Sequence, residues 1–334
     1  MDILAGALDD GPMAMTTRAL RWTHLTQDSL EAWAELTRVL ADADGTDEVY
    51  AAEDLAEELA ETGLTPETDT WGVWDDDRLV AYGQLRVSLT LDHDDRVRCH
   101  LSGGVHPDWR GRGIGGALMD RMEPRALALA RERHPGVPAY LRATGGIEGS
   151  SARRMLARRG YAVVRYFNDL ARPVPEQTLP ELPVDGAVIV TSTDEHAEAV
   201  RVAHNNAFAD HWGSAEIPAE QWHHHWASRA GRGDLSSLAL APDGSVLAYV
   251  LAAQWVPRTL YITIVGTVPA ARGRGLAAAC LARTMNLAAQ TGEFDTVQLD
   301  VDSDSPTGAV QLYERLGFQT TRVFASMQRD APLP

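Results

Sequence analysis

Between Tyr261 and Ala279 the chain reads YITIVGTVPAARGRGLAAA, and these residue types at this spacing can hold an anion. The β-branched run from Ile262 to Val268 predicts a buried strand that Pro269 stops. Arg272-Gly273-Arg274-Gly275 then forms a glycine-rich turn that opens, at Leu276 and Ala277, onto an alanine-rich segment that reads as a helix. Such a turn leaves backbone N–H groups unpaired at the helix N-terminus, where the macrodipole favours negative charge. Chemically it is a seat for a phosphate or pyrophosphate. Arg272 and Arg274 add cationic side chains to it.

The pattern is written twice. His100 to Leu118 gives a strand that carries Gly103, Gly104 and Val105, then Pro107, then Arg110-Gly111-Arg112-Gly113-Ile114-Gly115 and a second helix. Arg110 and Arg272 are 272 − 110 = 162 residues apart, and the pairs Gly160-Tyr161 and Gly317-Phe318 are 317 − 160 = 157 apart. Two landmarks at nearly one offset indicate duplication of a whole unit. Gly111 to Gly116 also satisfies the dinucleotide-binding spacing, and Gly273 to Ala278 its variant ending in Ala. A Rossmann turn follows the first strand of its domain, whereas each of these follows three or four predicted strands. Neither turn carries Lys-Ser/Thr, which excludes a Walker A loop.

Arg-x-x-Gly-x-Gly/Ala after a strand, followed about forty residues later by a short helix ending Leu312-Tyr313-Glu-Arg-Leu-Gly317-Phe318, resembles the GNAT superfamily of N-acetyltransferases. Because both halves carry the pattern, nearly the whole chain resembles a tandem GNAT, similar in architecture to the mycothiol synthases. The resemblance implies an α/β fold of two tandem GNAT units, each a mixed, mostly antiparallel sheet flanked by helices. It implies acetyl-CoA or another short acyl-CoA as cofactor. The pantetheine arm would lie along Val265, Gly266, Thr267 and Val268, and the phosphates on the amides and side chains of Arg272, Gly273, Arg274, Gly275, Leu276 and Ala277. In the first half the matching residues are Gly103, Gly104 and Val105, and Arg110, Gly111, Arg112, Gly113 and Gly115. Tyr313 stands where relatives protonate the departing thiolate. The first half has Leu156 there and reads as catalytically degenerate.

An attacking amine must lose a proton, so a general base is expected. The family often places a glutamate on the central strand, and the matching residue here is Tyr261. Asp302 and Asp300, on the following strand, are alternatives, as are His211 and Glu220. The resemblance places the acceptor side of the cleft between Phe208 and Trp226, which makes Asp210, His211, Trp212 and Trp222 candidate substrate contacts. His223, His224 and His225 are consecutive and point ~100° apart on a helix, so they do not converge on a metal.

At 334 residues, 45% hydrophobic and 23% charged, the chain has room for two domains, each able to bury its own core. The expected organisation is a leader over 1–15, a first unit over 16–171, a proline-rich linker over 172–186 and a second unit over 187–334. A formal net charge of −17 argues against nucleic-acid binding and suits a cationic substrate or plain solubility. The two cysteines, Cys99 and Cys280, fall in opposite halves and predict free thiols in a reducing cytoplasm. No stretch reaches the ~20 apolar residues that span a bilayer. Taken with these features, the resemblance implies a monomeric or homodimeric cytoplasmic acyltransferase that acts on a small-molecule primary amine by direct attack in a ternary complex. The alternative is a non-catalytic acyl-CoA sensor.

Overall fold

The computed structural model describes residues 19–305 and 308–331; the expected leader lies outside them. The first half runs β1 (Arg21–Thr23), α1 (Leu30–Asp44), α2 (Ala52–Leu59), α3 (Pro66–Asp69), β2 (Thr70–Asp75), β3 (Arg78–Val87), β4 (Val97–Val105), α4 (Ile114–Arg133), β5 (Ala139–Gly146), α5 (Ser151–Arg158) and β6 (Ala162–Pro173). The second repeats the order without α3: β7 (Val188–Thr191), α6 (Ala197–Ala207), α7 (Ala219–Trp226), β8 (Ser237–Leu240), β9 (Val246–Ala253), β10 (Thr259–Thr267), α8 (Leu276–Thr291), β11 (Thr296–Asp302), α9 (Ala309–Arg315) and β12 (Gln319–Asp330). Helix α1 forms because Leu30, Trp33, Leu36 and Ala41 fall on one buried face, and Gly45, at φ 64°, ends it. None of the helices among the described residues is long and apolar enough to cross a membrane.

All twelve strands join one sheet, in the order β1-β2-β3-β4-β5-β12-β6-β11-β10-β9-β8-β7. Pairing is antiparallel except for β4 with β5 and β10 with β11. The closing strands of the halves are exchanged: β12 lies against β5, and β6 lies against β11. The expectation of two self-sufficient cores is therefore corrected. Leu170 of β6 belongs to the second half's core, and Ala325 and Met327 of β12 belong to the first half's. At the centre Phe167 pairs with Phe324, their rings stacked at 5.6 Å. Since 324 − 167 = 157, the offset of the glycine landmarks, each phenylalanine faces its own counterpart. A pseudo-two-fold axis thus passes between them. Residues 174–187, which join β6 to β7, are held in place: the Asn286 side chain accepts from Leu179 N–H at 2.8 Å and donates to its carbonyl at 3.0 Å.

The halves differ where the two parallel strands meet. Strand β4 pairs with β5 over five residues and runs against β3 in unbroken register. Strand β10 pairs with β11 over three, from Thr259 to Tyr261, and has a bulge against β9 between Ile262 and Ile264. A bulge increases local twist, so β10 swings away from β11 early and opens a wedge between them.

Two histidines make the fold acid-sensitive. His204 Nδ1 shares a hydrogen bond with the Tyr249 hydroxyl at 2.7 Å, its ring lies tilted against Trp222, and burial lowers its pKa to about 4. For His100, burial and then Arg98, Arg86 and Arg142 lower it to about 3. Each is neutral in the fold and takes up a proton on unfolding below about pH 6.5. Between pH 6.5 and 4 the unfolded chain binds more protons, so stability falls as pH falls through that window, by up to ~3 kcal/mol per histidine. Urea midpoints measured across it should show the decline, and His204→Gln should remove that residue's share.

Candidate active site

The two glycine turns have one conformation. Gly273 and Gly275 lie at φ 77°, Gly111 and Gly113 at φ 76° and 83°, in the left-handed region that glycine adopts without strain. No atom lies within 4 Å of where a Cβ would stand at any of the four, so their outer faces are open. The first N–H to rejoin the helix pattern is that of Ala279, bonded to the Gly275 carbonyl at 3.0 Å. Those of residues 273–278 have no partner among the described residues, and the first half's turn repeats this with Ala117 on Gly113. These orphaned donors at the head of a sixteen-residue helix fit a diphosphate.

The arginine side chains at the start of the turns do other work. Arg272 donates to both oxygens of Asp210 at 3.1 Å and to the Ala207 carbonyl at 2.9 Å. Arg110 donates to Asp44 at 2.8 and 2.7 Å and to the Val105 carbonyl at 2.9 Å. Each guanidinium ties its turn to the end of the first long helix of its half. The expectation that these two side chains are free for phosphate is corrected, and since the Arg272 and Arg110 N–H groups bond the Pro269 and Pro107 carbonyls, the open amides begin at the glycine that follows each arginine. Arg274 donates to the Asp185 carbonyl and Arg112 to that of Asp108.

Along β10, Val265, Gly266 and Thr267 pair with β9, and Val268 N–H reaches the Leu247 carbonyl. Their other edge is free because β11 has diverged, and unpaired strand groups there suit an extended amide-bearing arm. Gly266 is glycine because a Cβ would run into the Tyr249 ring, and Gly104 because it would meet Leu40. Gly103, at φ 154°, packs against the Tyr82 backbone.

Tyr313 sits near the end of α9, its ring buried and edge-on to Phe318 at 6.0 Å. Its hydroxyl has no hydrogen-bond partner among the described residues. Burial, and then the charge of Asp300, push its ionisation well above the ordinary phenol range, so it keeps its proton. Leu156, its counterpart, is 2% exposed in the first core. Tyr261 donates to Asp300 Oδ1 at 2.6 Å. Burial and that carboxylate raise its ionisation too, which makes Tyr261 a proton holder that orients Asp300 and not itself a base. Asp302, two residues on, is buried, accepts from Asp304 N–H at 2.9 Å and stands 3.7 Å from Arg165 of β6. It fastens β11 to its neighbour, against the expectation of a base there, and Asp300 is the carboxylate of that strand left exposed.

The residues expected on the acceptor side lie elsewhere. Trp222 is 3% exposed and donates to the Ala197 carbonyl, a core residue. Asp210 is committed to Arg272, and His211 packs on Phe208 at 5.4 Å. Trp212 lies under the Arg142 guanidinium at 3.9 Å with that of Arg165 at 5.0 Å, while Gly213 is held by His93 and Arg98. This connection of the second half therefore covers the first half's sheet. Reciprocally, the first half's connection, residues 45–51, covers the second half's wedge. Glu48, reached by solvent yet ringed by protein, has its carboxyl raised by that burial, with Arg322, Asp169 and Asp300 close enough to act on it. Tyr50 is felt by Tyr261. Sequence reasoning missed Glu48, Tyr50 and Asp169. The signal available was the duplication, since residues 45–51 and 208–218 each join the first long helix of a half to the next helix.

Residues 198–318 match the acetyltransferase (GNAT) family, and residues 66–163 match the acetyltransferase (GNAT) domain. A mycothiol acetyltransferase of Nocardia farcinica is 30% identical over 325 residues, 91% of this chain and 95% of the relative. One of Salinispora arenicola is 32% identical over 243 residues, 68% and 71%. Among solved structures, a GCN5-related N-acetyltransferase from Sphaerobacter thermophilus superposes with a TM-score of 0.71 at 24% identity, over 93% of this chain and 95% of that one. A tandem GNAT protein from the clavulanic acid biosynthesis pathway gives 0.68 at 17%, over 94% and 99%. With two matched regions and a relative aligned along nine-tenths of its length, the chain belongs to the GNAT family of acetyltransferases, as a tandem of two such domains that works with acetyl-CoA or a related acyl-CoA.

Proposed function

We propose that the second half, residues 187–334, transfers an acetyl or other short acyl group to a primary amine of a small molecule in a ternary complex, and that the first half is catalytically silent. The observation that carries this is the Tyr313 side chain, buried edge-on to Phe318 at the end of α9, its hydroxyl without a hydrogen-bond partner among the described residues and within reach of Asp300's charge. When bound, the cofactor supplies an activated thioester. The amides of residues 273–278 would hold its diphosphate and the free edge of Val265 to Val268 its arm, beside the wedge that β10 opens against β11. Asp300, oriented by Tyr261, takes a proton from the incoming ammonium. Tyr313 would give its proton to the sulfur as the carbon–sulfur bond breaks and recover the one that nitrogen sheds as the amide forms. The curated relatives are named mycothiol acetyltransferases, which agrees with a small-molecule acceptor.

CoA release followed over an amine panel tests this reading. Asp300→Asn should lower kcat about 10²-fold without changing CoA affinity. Gly275→Val, forced out of the left-handed turn, should weaken CoA binding at least tenfold by calorimetry, whereas Gly113→Val should leave turnover unchanged. The second reading, an acyl-CoA sensor, draws on the identical shape of the two turns. Tight CoA binding with no turnover on any amine would favour it.

A further inference from the structure

A cavity of about 240 Å³ lies between the halves, beside the wedge. At about 30 Å³ per water it has room for roughly eight, enough for a chain of several heavy atoms. One wall is Glu57, Glu58 and Glu61, on and just after α2 of the first half; the facing wall is His225, Ser228 and Trp255 of the second. The cavity continues from the proposed transfer centre. The Trp255 ring stands edge-on to Tyr261 at 5.7 Å, and Tyr50, which also lines the cavity, feels both Glu48 on the wedge side and Glu58 on the cavity side. An acceptor whose amine reaches Asp300 therefore has the rest of its body directed here.

The lining selects for positive charge. Arg86 spans Glu58 Oε1 at 2.7 Å and Glu61 Oε2 at 2.5 Å, which neutralises one of that pair. Asp54 is met by Arg229 at 2.6 Å, and Glu57 accepts from Ser228 and from Arg229 N–H. Four carboxylates thus face two guanidinium groups. Glu58 Oε2, Glu61 Oε1 and the Tyr50 hydroxyl have no partner among the described residues. Three open acceptors match the three donors of an ammonium, and Trp255 and Tyr50 offer it aromatic faces. We infer that this cavity binds a second ammonium of the acceptor, so that the preferred substrates are small molecules carrying at least two amino groups. The inference rests on the acyl-transfer reading for its link to Asp300.

The test is titration calorimetry of the full chain, with and without CoA, using linear alkylamines of three to eight carbons and the α,ω-diamines of equal length. At one or more lengths the diamine should bind at least tenfold more tightly than the monoamine. Glu61→Gln, which leaves Arg86 on Glu58, should erase that difference while leaving monoamine affinity unchanged and the melt cooperative, and Tyr50→Phe should reduce it. Equal affinities at every length, or a diamine preference that survives both substitutions, overturns the inference. Turnover is read separately on the same panel. If monoamines and diamines are acetylated equally well, the second-ammonium site is wrong and acyl transfer stands. If nothing is acetylated, the transfer reading fails, and the binding comparison still decides what the cavity holds.

Discussion

Tyr313→Phe lowers kcat by about 10²-fold or more and leaves CoA affinity within a factor of two. The substitution removes one oxygen from a buried ring that otherwise packs on Phe318, so the α9 end keeps its shape. In the proposed mechanism what is lost is the general acid, and positioned acids contribute 10²–10⁴ in such steps. Steady-state thiol release, with calorimetry for CoA, separates the effect on chemistry from that on binding. A kcat within threefold of the parent would mean that solvent supplies the proton and would sink the assignment. The converse substitution, Leu156→Tyr, should not awaken the first half, because β4 has no bulge and stays paired with β5 two residues further than β10 does with β11.

The halves, expressed separately, should not fold. The chain up to residue 173 would carry β6 but not β12, leaving β5 with a bare edge and the first core without Ala325 and Met327. The remainder would lack β6, the strand that covers β11 along seven residue pairs. A domain is stable by about 5–15 kcal/mol in total, and the loss of an entire interior strand exceeds that margin while exposing a sticky edge. Each fragment alone should aggregate and show no cooperative melt, whereas co-expression should give a soluble pair with a single transition. A soluble, monomeric first half that unfolds cooperatively would show that the exchange is dispensable.

Much of this architecture is legible in the sequence, because local chemistry dictates it. The glycine turns are visible because φ near +77° admits few other residues, and the β2–β3 hairpin and α1 follow from alternation and from a single apolar face. The asymmetry at Tyr313 and Leu156 is visible because one residue type can donate a proton and the other cannot. What is hidden is partner choice. Strands β6 and β12 read identically whether they close their own half or the other, since strand periodicity records which face is buried and not which chain segment lies alongside. The same blindness misplaced the acceptor side: the aromatic segment at Phe208 to Trp226 does border a sheet, but Trp212 borders the first half's. Arg272 and Asp210 were each legible as charged, yet their mutual bond, across 62 residues, cancels the roles expected of them separately. Tyr261 was legible as the departure from the family's glutamate, whereas its hydrogen bond to Asp300 on the next strand, which with burial raises its ionisation, was not.

Phe167 lying against Phe324 also says something about descent. Two identical chains that met along their last strands would put that residue opposite itself, as an isologous contact requires. Joining such a pair end to end needs only a tether of the length of residues 174–187 and no rearrangement of either member. Once joined, one copy is free to carry leucine where the other keeps tyrosine, yet it cannot be discarded, because its final strand is the wall of its twin.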